Sequence, residues 1–265
     1  MEHALFSPAV ITALLVCLAA AMATTLGALT VFTSRDSNPR VLAIGLAFAG
    51  GAMVYISLVE IFWKAHTSFS DIYPDKEAYT AATLAFFAGI LLLVLIDTLI
   101  PNPHNELTSP DKTDKSKLGR LGFLAAFAIT AHNFPEGMAT FFATLEDPVV
   151  GTSLAVAIGV HNVPEGISIA IPVYYATNDK KITFIACLFS GLAEPVGALI
   201  GYLILSQFLT PFVFGSVFGV IAGAMVFLAM DELLPTAKRY SSGHDTVYGM
   251  VIGMAVIALS LVLFR

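Results

Sequence analysis

Long apolar runs alternate with short polar interruptions along this chain. Eight runs, over about 8–32, 41–62, 80–100, 121–143, 150–175, 183–207, 212–234 and 247–264, are long enough to cross a bilayer, since a membrane helix needs about 20 mostly apolar residues. None alternates residue by residue, as the roughly ten-residue strands of an outer-membrane barrel do. The pattern predicts an all-α integral membrane protein of eight transmembrane helices in a single domain over 1–265. The one long polar stretch, 101–120 (PNPHNELTSPDKTDKSKLGR), reads as a cytoplasmic linker between two groups of helices.

Composition strengthens this reading. Hydrophobic residues make up 57% and charged residues 12%, about half the charge of an ordinary soluble domain. Too little charge is left to cover a water-facing surface, and disorder needs the opposite composition. A net charge of −6 argues against a nucleic-acid partner. Cys17 and Cys187 lie in apolar runs and read as small buried hydrophobes. No Lys or Arg occurs in residues 1–10, so the first run reads as an uncleaved helix, not a signal peptide.

The basic residues orient the bundle. With the amino terminus outside, Arg35, Arg40, Lys112, Lys115, Lys117, Arg120, Lys180, Lys181, Lys238 and Arg239 face the cytoplasm. Only Lys64, Lys76 and Arg265 fall on the other side. Both termini are therefore expected outside. Glu2, Glu60, Asp71, Asp75, Glu77, Glu146 and Asp147 then give the outer face a negative field that would concentrate cations, although loop solubility accounts for the same distribution.

The chemistry lies in three carboxylates near the middle of apolar spans: Glu136, Glu165 and Glu194. Ionisable residues at that depth are costly and mark function by default. The fourth span contains His132-Asn133-Phe134-Pro135-Glu136-Gly137 and the fifth His161-Asn162-Val163-Pro164-Glu165-Gly166, a repeat 29 residues apart with five of six positions identical. His and Glu at i and i+4 share a helix face, with Asn at i+1 on the adjacent one. Pro135 and Pro164 free a backbone carbonyl each and predict kinks. The short turn between the two spans makes them antiparallel, an inverted pair meeting at the bilayer midplane, as carrier sites are commonly built.

Carboxylates with imidazoles suit Zn²⁺ and its neighbours Fe²⁺, Mn²⁺ and Co²⁺. Two His, two Asn and three Glu exceed the needs of one tetrahedral ion, so two adjacent ions bridged by Glu136 and Glu165 would use them better. A proton relay of Glu and His is the strongest competing reading, but it leaves the repeated Asn unexplained. Met53 is a candidate thioether ligand or a packing residue. Glu60 could stand at an entrance, and Asp97, Asp231 and Glu232 could line an exit. His3, His66, His104 and His244 read as solvated, and the spaced glycines around 197–201, 215–223 and 249–253 as close helix packing.

The paired HNxPEG hexapeptides, followed by Gly191-Leu192-Ala193-Glu194-Pro195, closely resemble the ZIP (Zrt/Irt-like) family of divalent-metal transporters, and the resemblance covers the whole chain. It implies metal import across a bacterial inner membrane, an elevator-like mechanism and often a homodimer. Carried over by position, His132, Glu136, His161 and Glu165 look like one metal site. Asn133, Asn162 and Glu194, with the shared Glu136 and Glu165, look like a second, and Met53 resembles a methionine that joins the site in some members. Some relatives carry Gln and Asp in place of His161 and Asn162, so selectivity does not transfer. The His-rich loop of many relatives is absent, since 101–120 holds only His104.

These readings converge on a secondary transporter, not an enzyme, with divalent ions as cargo, no resident cofactor, and the bilayer as its environment. The alternative from another class is an intramembrane zinc-dependent hydrolase. The HExxH motif is absent, and inverted symmetry has no evident use in hydrolysis. Solute flux that needs no metal would instead mark a proton-coupled carrier of an organic molecule. The absence of GxxxxGK[ST] argues against ATP coupling within the chain.

Overall fold

A computed structural model describes residues 7–33, 39–99, 130, 133–208 and 210–263. Among them there is no strand. The helices are α1 (Pro8–Ala21), α2 (Ala23–Thr33), α3 (Pro39–Ile56), α4 (Phe62–Ser70), α5 (Asp75–Leu99), α6 (133–146), α7 (Pro148–Thr177), α8 (Lys180–Leu205), α9 (Pro211–Leu228), α10 (Leu234–Tyr240) and α11 (Asp245–Leu263). Among the described residues, seven stretches are long and apolar enough to span a membrane; 121–129 and 131–132 of the expected fourth span lie outside them. The linker 101–120 lies outside the described residues.

Local sequence sets the helix starts. Ser7 Oγ accepts from the Val10 N–H, Asp147 Oδ1 from Val149 and Val150, Asp179 Oδ1 from Lys181 and Ile182, and Thr210 Oγ1 from Val213. Each satisfies amide donors that a helix start leaves open. Proline follows three of these caps, as Pro8, Pro148 and Pro211, where its missing N–H costs nothing. Asn178 ends α7 in the left-handed region at φ 49°. Single- and two-residue connections at Asp147 and Asn178–Asp179 leave α6, α7 and α8 as successive antiparallel neighbours.

Two spans continue through a turn of π-helix. Ser57–Ile61 joins α3 to α4, and Ala229–Leu233 joins α9 to α10. The second span consequently runs to Ser70, well past its apolar stretch, and the third starts at Asp75. Aromatic packing holds this extension: the Phe62 ring lies edge-on to Tyr79 and Phe86, and His66 packs against Trp63 and Tyr79. His66, expected to be solvated, is instead buried with Nε2 3.2 Å from Asp75 Oδ1. Glu60, expected at a helix end, lies buried inside the first π turn.

The helices pack in two groups. α1, α2 and α8 lie against α7, and α6 is inserted among them. In the other group α3 pairs with α11, and α5 and α4 with α9. The α3–α11 pair is parallel in a constant register: Arg40 faces Asp245, Ile44 faces Gly249 and Phe48 faces Gly253. Glycine permits this approach, since a Cβ on Gly253 would overlap the Phe48 carbonyl. The Arg40–Asp245 contact is bidentate, with two bonds of 2.9 Å; Asp245 is buried, and its carboxylate holds the Arg40 guanidinium above its already high pKa. The groups touch chiefly where α3 meets α7, and on another edge Lys64 of α4 reaches Glu146 at 3.1 Å. The spaced glycines are used within the chain: Gly197 and Gly201 face α6, Gly219 and Gly223 face α5, and Gly249 and Gly253 face α3.

Candidate metal centre

Packing α6 against antiparallel α7 aligns the two hexapeptides. Thr144 meets Gly151 near the turn, and Glu136 meets His161 further along the pair. His161 Nε2 lies 3.2 Å from Glu136 Oε2. Ligand atoms of Glu136, His161 and Glu165 all fall within 4.8 Å of one another, and all three side chains are buried. His132 lies outside the described residues.

Both asparagines are held through their amide nitrogens. Asn133 Nδ2 donates to the Ser190 carbonyl at 3.0 Å and approaches Ser190 Oγ at 3.3 Å. Asn162 Nδ2 donates to the Ala20 carbonyl at 3.0 Å and to Glu194 Oε1 at 2.6 Å. A carbonyl can only accept, so each amide nitrogen is assigned by its partner and each Oδ1 is left facing away from it. Glu194, fully buried on α8, is thereby tied to the repeat on α7.

The balance of donors and acceptors is lopsided. Asn133 Oδ1, Glu136 Oε1, His161 Nδ1, Asn162 Oδ1 and Glu194 Oε2 are buried with no hydrogen-bond partner among the described residues. Buried polar atoms are nearly always paired, and each exception calls for an explanation. Among the described residues, neither Lys nor Arg hydrogen-bonds these five residues. Clustered oxygens and an imidazole nitrogen, without positive charge, make a receptor for a cation. Its donor set is carboxylate, amide oxygen and imidazole, which matches first-row divalent ions.

Some neighbours were not visible in the sequence motifs. Ser190 and the Ala20 carbonyl orient the asparagines, and nothing in a one-dimensional pattern marks a backbone acceptor on another helix. The glycine ending each hexapeptide is pressed against a neighbouring backbone: a Cβ on Gly137 would overlap Glu194, and one on Gly166 would overlap Thr24. Cys17 Sγ points to the Gly137 carbonyl at 3.7 Å and Cys187 Sγ to the Gly166 carbonyl at 3.5 Å, so both thiols are buried and free. Met53 is buried in the apolar core, where the Ser57 hydroxyl bonds its carbonyl at 2.6 Å. Asp231 and Glu232 lie in the second π turn, partly buried.

Comparison with known proteins agrees with this chemistry. Residues 101–261 match a family model described as ZIP Zinc transporter. The chain is 60% identical over 257 residues to a protein named Zinc transporter ZupT from Stenotrophomonas maltophilia strain K279a, covering 96% of both chains. It is 62% identical over 252 residues to a protein of that name from Neisseria meningitidis serogroup C, covering 94% of each. A third, from Chlorobium chlorochromatii, is 46% identical over 253 residues, covering 92% of this chain and 94% of its own.

Proposed function

Because the chain belongs to the ZIP family of zinc transporters, multi-pass membrane proteins that carry metal and are not enzymes, we propose that it is a secondary carrier importing Zn²⁺ across a bacterial inner membrane. Fe²⁺, Mn²⁺ and Co²⁺ are further cargo of the same centre. Two ions bind side by side: one on His132, Glu136, His161 and Glu165, the other on Asn133, Asn162 and Glu194 with Glu136 and Glu165 shared between them. Both termini lie outside, and Met53 packs without ligating.

The observation that supports this reading is the set of five buried, unpartnered acceptor atoms around Glu136 and His161. Zinc is named in each of the three relatives above. The mechanism follows from the site's place in the bundle. An ion sheds water and is held between α6, α7 and α8. Access then switches as the group containing α1, α2, α6, α7 and α8 moves against the group containing α3, α5, α9 and α11. Fewer, more local contacts join the groups than hold each together, which favours sliding at the α3–α7 face. Neither amide nor carboxylate is a soft thiolate, so the ion can leave.

The test is uptake of radioactive zinc into sealed proteoliposomes bearing the wild type or Glu165→Ala, with Fe²⁺, Mn²⁺ and Co²⁺ as competitors. Uptake that collapses in the variant supports a carrier with Glu165 on the path, and the competitors rank the cargo. A folded, inserted wild type that moves no metal refutes the proposal.

A further inference from the structure

The internal symmetry of the chain extends beyond the hexapeptides. Cys17–Leu29 (CLAAAMATTLGAL) and Cys187–Leu199 (CLFSGLAEPVGAL) align without a gap at a constant offset of 170, with six of thirteen residues identical. The contacts repeat in the same register. Asn133 of the first hexapeptide donates to the Ser190 carbonyl, and Asn162 of the second donates to the Ala20 carbonyl; Ser190 and Ala20 are equivalent positions. The carbonyl of Gly137 receives the Cys17 thiol, and that of Gly166 receives the Cys187 thiol. Gly137 abuts the backbone of Glu194, and Gly166 abuts that of Thr24. Three independent contacts thus relate α1 and α2 to α8 as they relate α6 to α7.

Under this relation Thr24 is the mate of Glu194. The Thr24 side chain is fully buried, and its hydroxyl has no partner. Ser57, Thr144, Ser153, Thr177 and Thr183 return their hydroxyl to the carbonyl four residues back, whereas Thr24 shares its unpartnered state with Ser68, Thr140 and Thr246. The corresponding acceptor for Thr24 is the Ala20 carbonyl, which already takes the Asn162 amide. The two mates differ in reach. Glu194 extends to Asn162 at 2.6 Å, whereas on the opposite side the Asn133 amide bonds Ser190 and the Glu165 carboxylate, and its Oδ1 has no partner among the described residues. Unpartnered oxygens remain on both Thr24 and Asn133.

We propose that the Thr24 hydroxyl is a further ligand of the metal centre, a neutral oxygen bound directly to the divalent ion that Asn133, Asn162 and Glu194 hold, from the Asn133 side, where the symmetry places the counterpart of the Glu194 carboxylate. This rests on the reading of the centre as a metal site. The pseudo-equivalent halves then differ by one negative charge, so the ion shared by Asn133 and Asn162 is held asymmetrically, more tightly from the Glu194 side than from the Thr24 side.

The test uses the full-length protein purified in detergent, with Zn²⁺ and Cd²⁺ binding measured by titration for wild type, Thr24→Val, Thr24→Ser and Thr24→Cys. Valine keeps the shape and removes the oxygen, so Zn²⁺ binding weakens about fivefold, while serine stays within about twofold of wild type. The cysteine variant is decisive because a thiolate prefers soft ions. Cd²⁺ binds it about tenfold more tightly than it binds Thr24→Ser, a gain that a packing role cannot produce. Cd²⁺ affinity equal to that of Thr24→Ser overturns the inference, whatever valine does. Wild type that binds neither ion refutes the metal centre itself, a result distinct from failure of the Thr24 assignment alone.

Discussion

The amide nitrogen of Asn162 on α7 donates to Glu194 Oε1 on α8 at 2.6 Å, inside a site where both side chains are fully buried. One bond from the amide thus aims a carboxylate from a third helix at the paired hexapeptides. Removing Asn162 takes away both its ligand oxygen and the bond that positions the carboxylate. Asn162→Ala should weaken Zn²⁺ binding by about 10–100-fold, in the range seen when groups that orient metal ligands are lost. Titration of the purified variant measures this, and affinity within twofold of wild type would show that Asn162 neither ligates the ion nor positions Glu194.

Asn133 is aimed differently, and the difference predicts a graded series. Its principal partner is the Ser190 carbonyl, with Ser190 Oγ a longer second contact. Ser190→Ala removes only the second and should cost about 1 kcal/mol or less in metal binding. Asn133→Ala removes the ligand oxygen and should abolish most zinc uptake. Equal effects of the two substitutions in the proteoliposome assay would contradict the geometry.

Metal should stabilise the fold by mass action. At a hundred times its dissociation constant, Zn²⁺ contributes about 2.7 kcal/mol to the folded state. Wild type should therefore melt several degrees higher with zinc than after chelation, and Glu136→Gln with Glu165→Gln should melt at one temperature in both conditions. A zinc-dependent shift that survives both substitutions would place the binding elsewhere.

Glycine-to-alanine substitutions should separate into two classes. A Cβ at Gly137 or Gly166 meets the backbone of Glu194 or Thr24, which cannot move without parting two helices. Each should lower stability by about 1–3 kcal/mol or more, as overpacking does. A Cβ at Gly45 would lie 3.8 Å from the Pro164 Cβ, an ordinary contact. Gly45→Ala should melt with wild type or slightly above it. Thermal unfolding of the three variants side by side checks the contrast.

Much of this was legible in the chain. Apolar run lengths are set by bilayer thickness, so the helical membrane class could be read from hydropathy alone. The hexapeptides announced themselves because polar residues are rare in such runs. The rest depends on contacts between distant segments. Ser190 looks like any small residue in a membrane helix until Asn133 is placed beside it. The run to Ser70 depends on Phe62, His66 and Tyr79 meeting across two helices, and hydropathy cannot report a ring contact. The π turns at Ser57–Ile61 and Ala229–Leu233 leave no motif, because one extra residue in a turn satisfies the same backbone groups.

The Arg40–Asp245 pair joins residues 205 positions apart. Arg40 precedes nearly all of the bundle in order of synthesis, and Asp245 opens the last helix. One flank of α3 therefore stays uncovered until the carboxyl-terminal span has been inserted, however early the metal-binding helices come together. The final helix acts as a completion mark: in a chain cut short before it, Ile44, Phe48 and the notch at Gly51 on α3 lack their partners Gly249, Gly253 and Met250, and that flank stays unsealed in the bilayer.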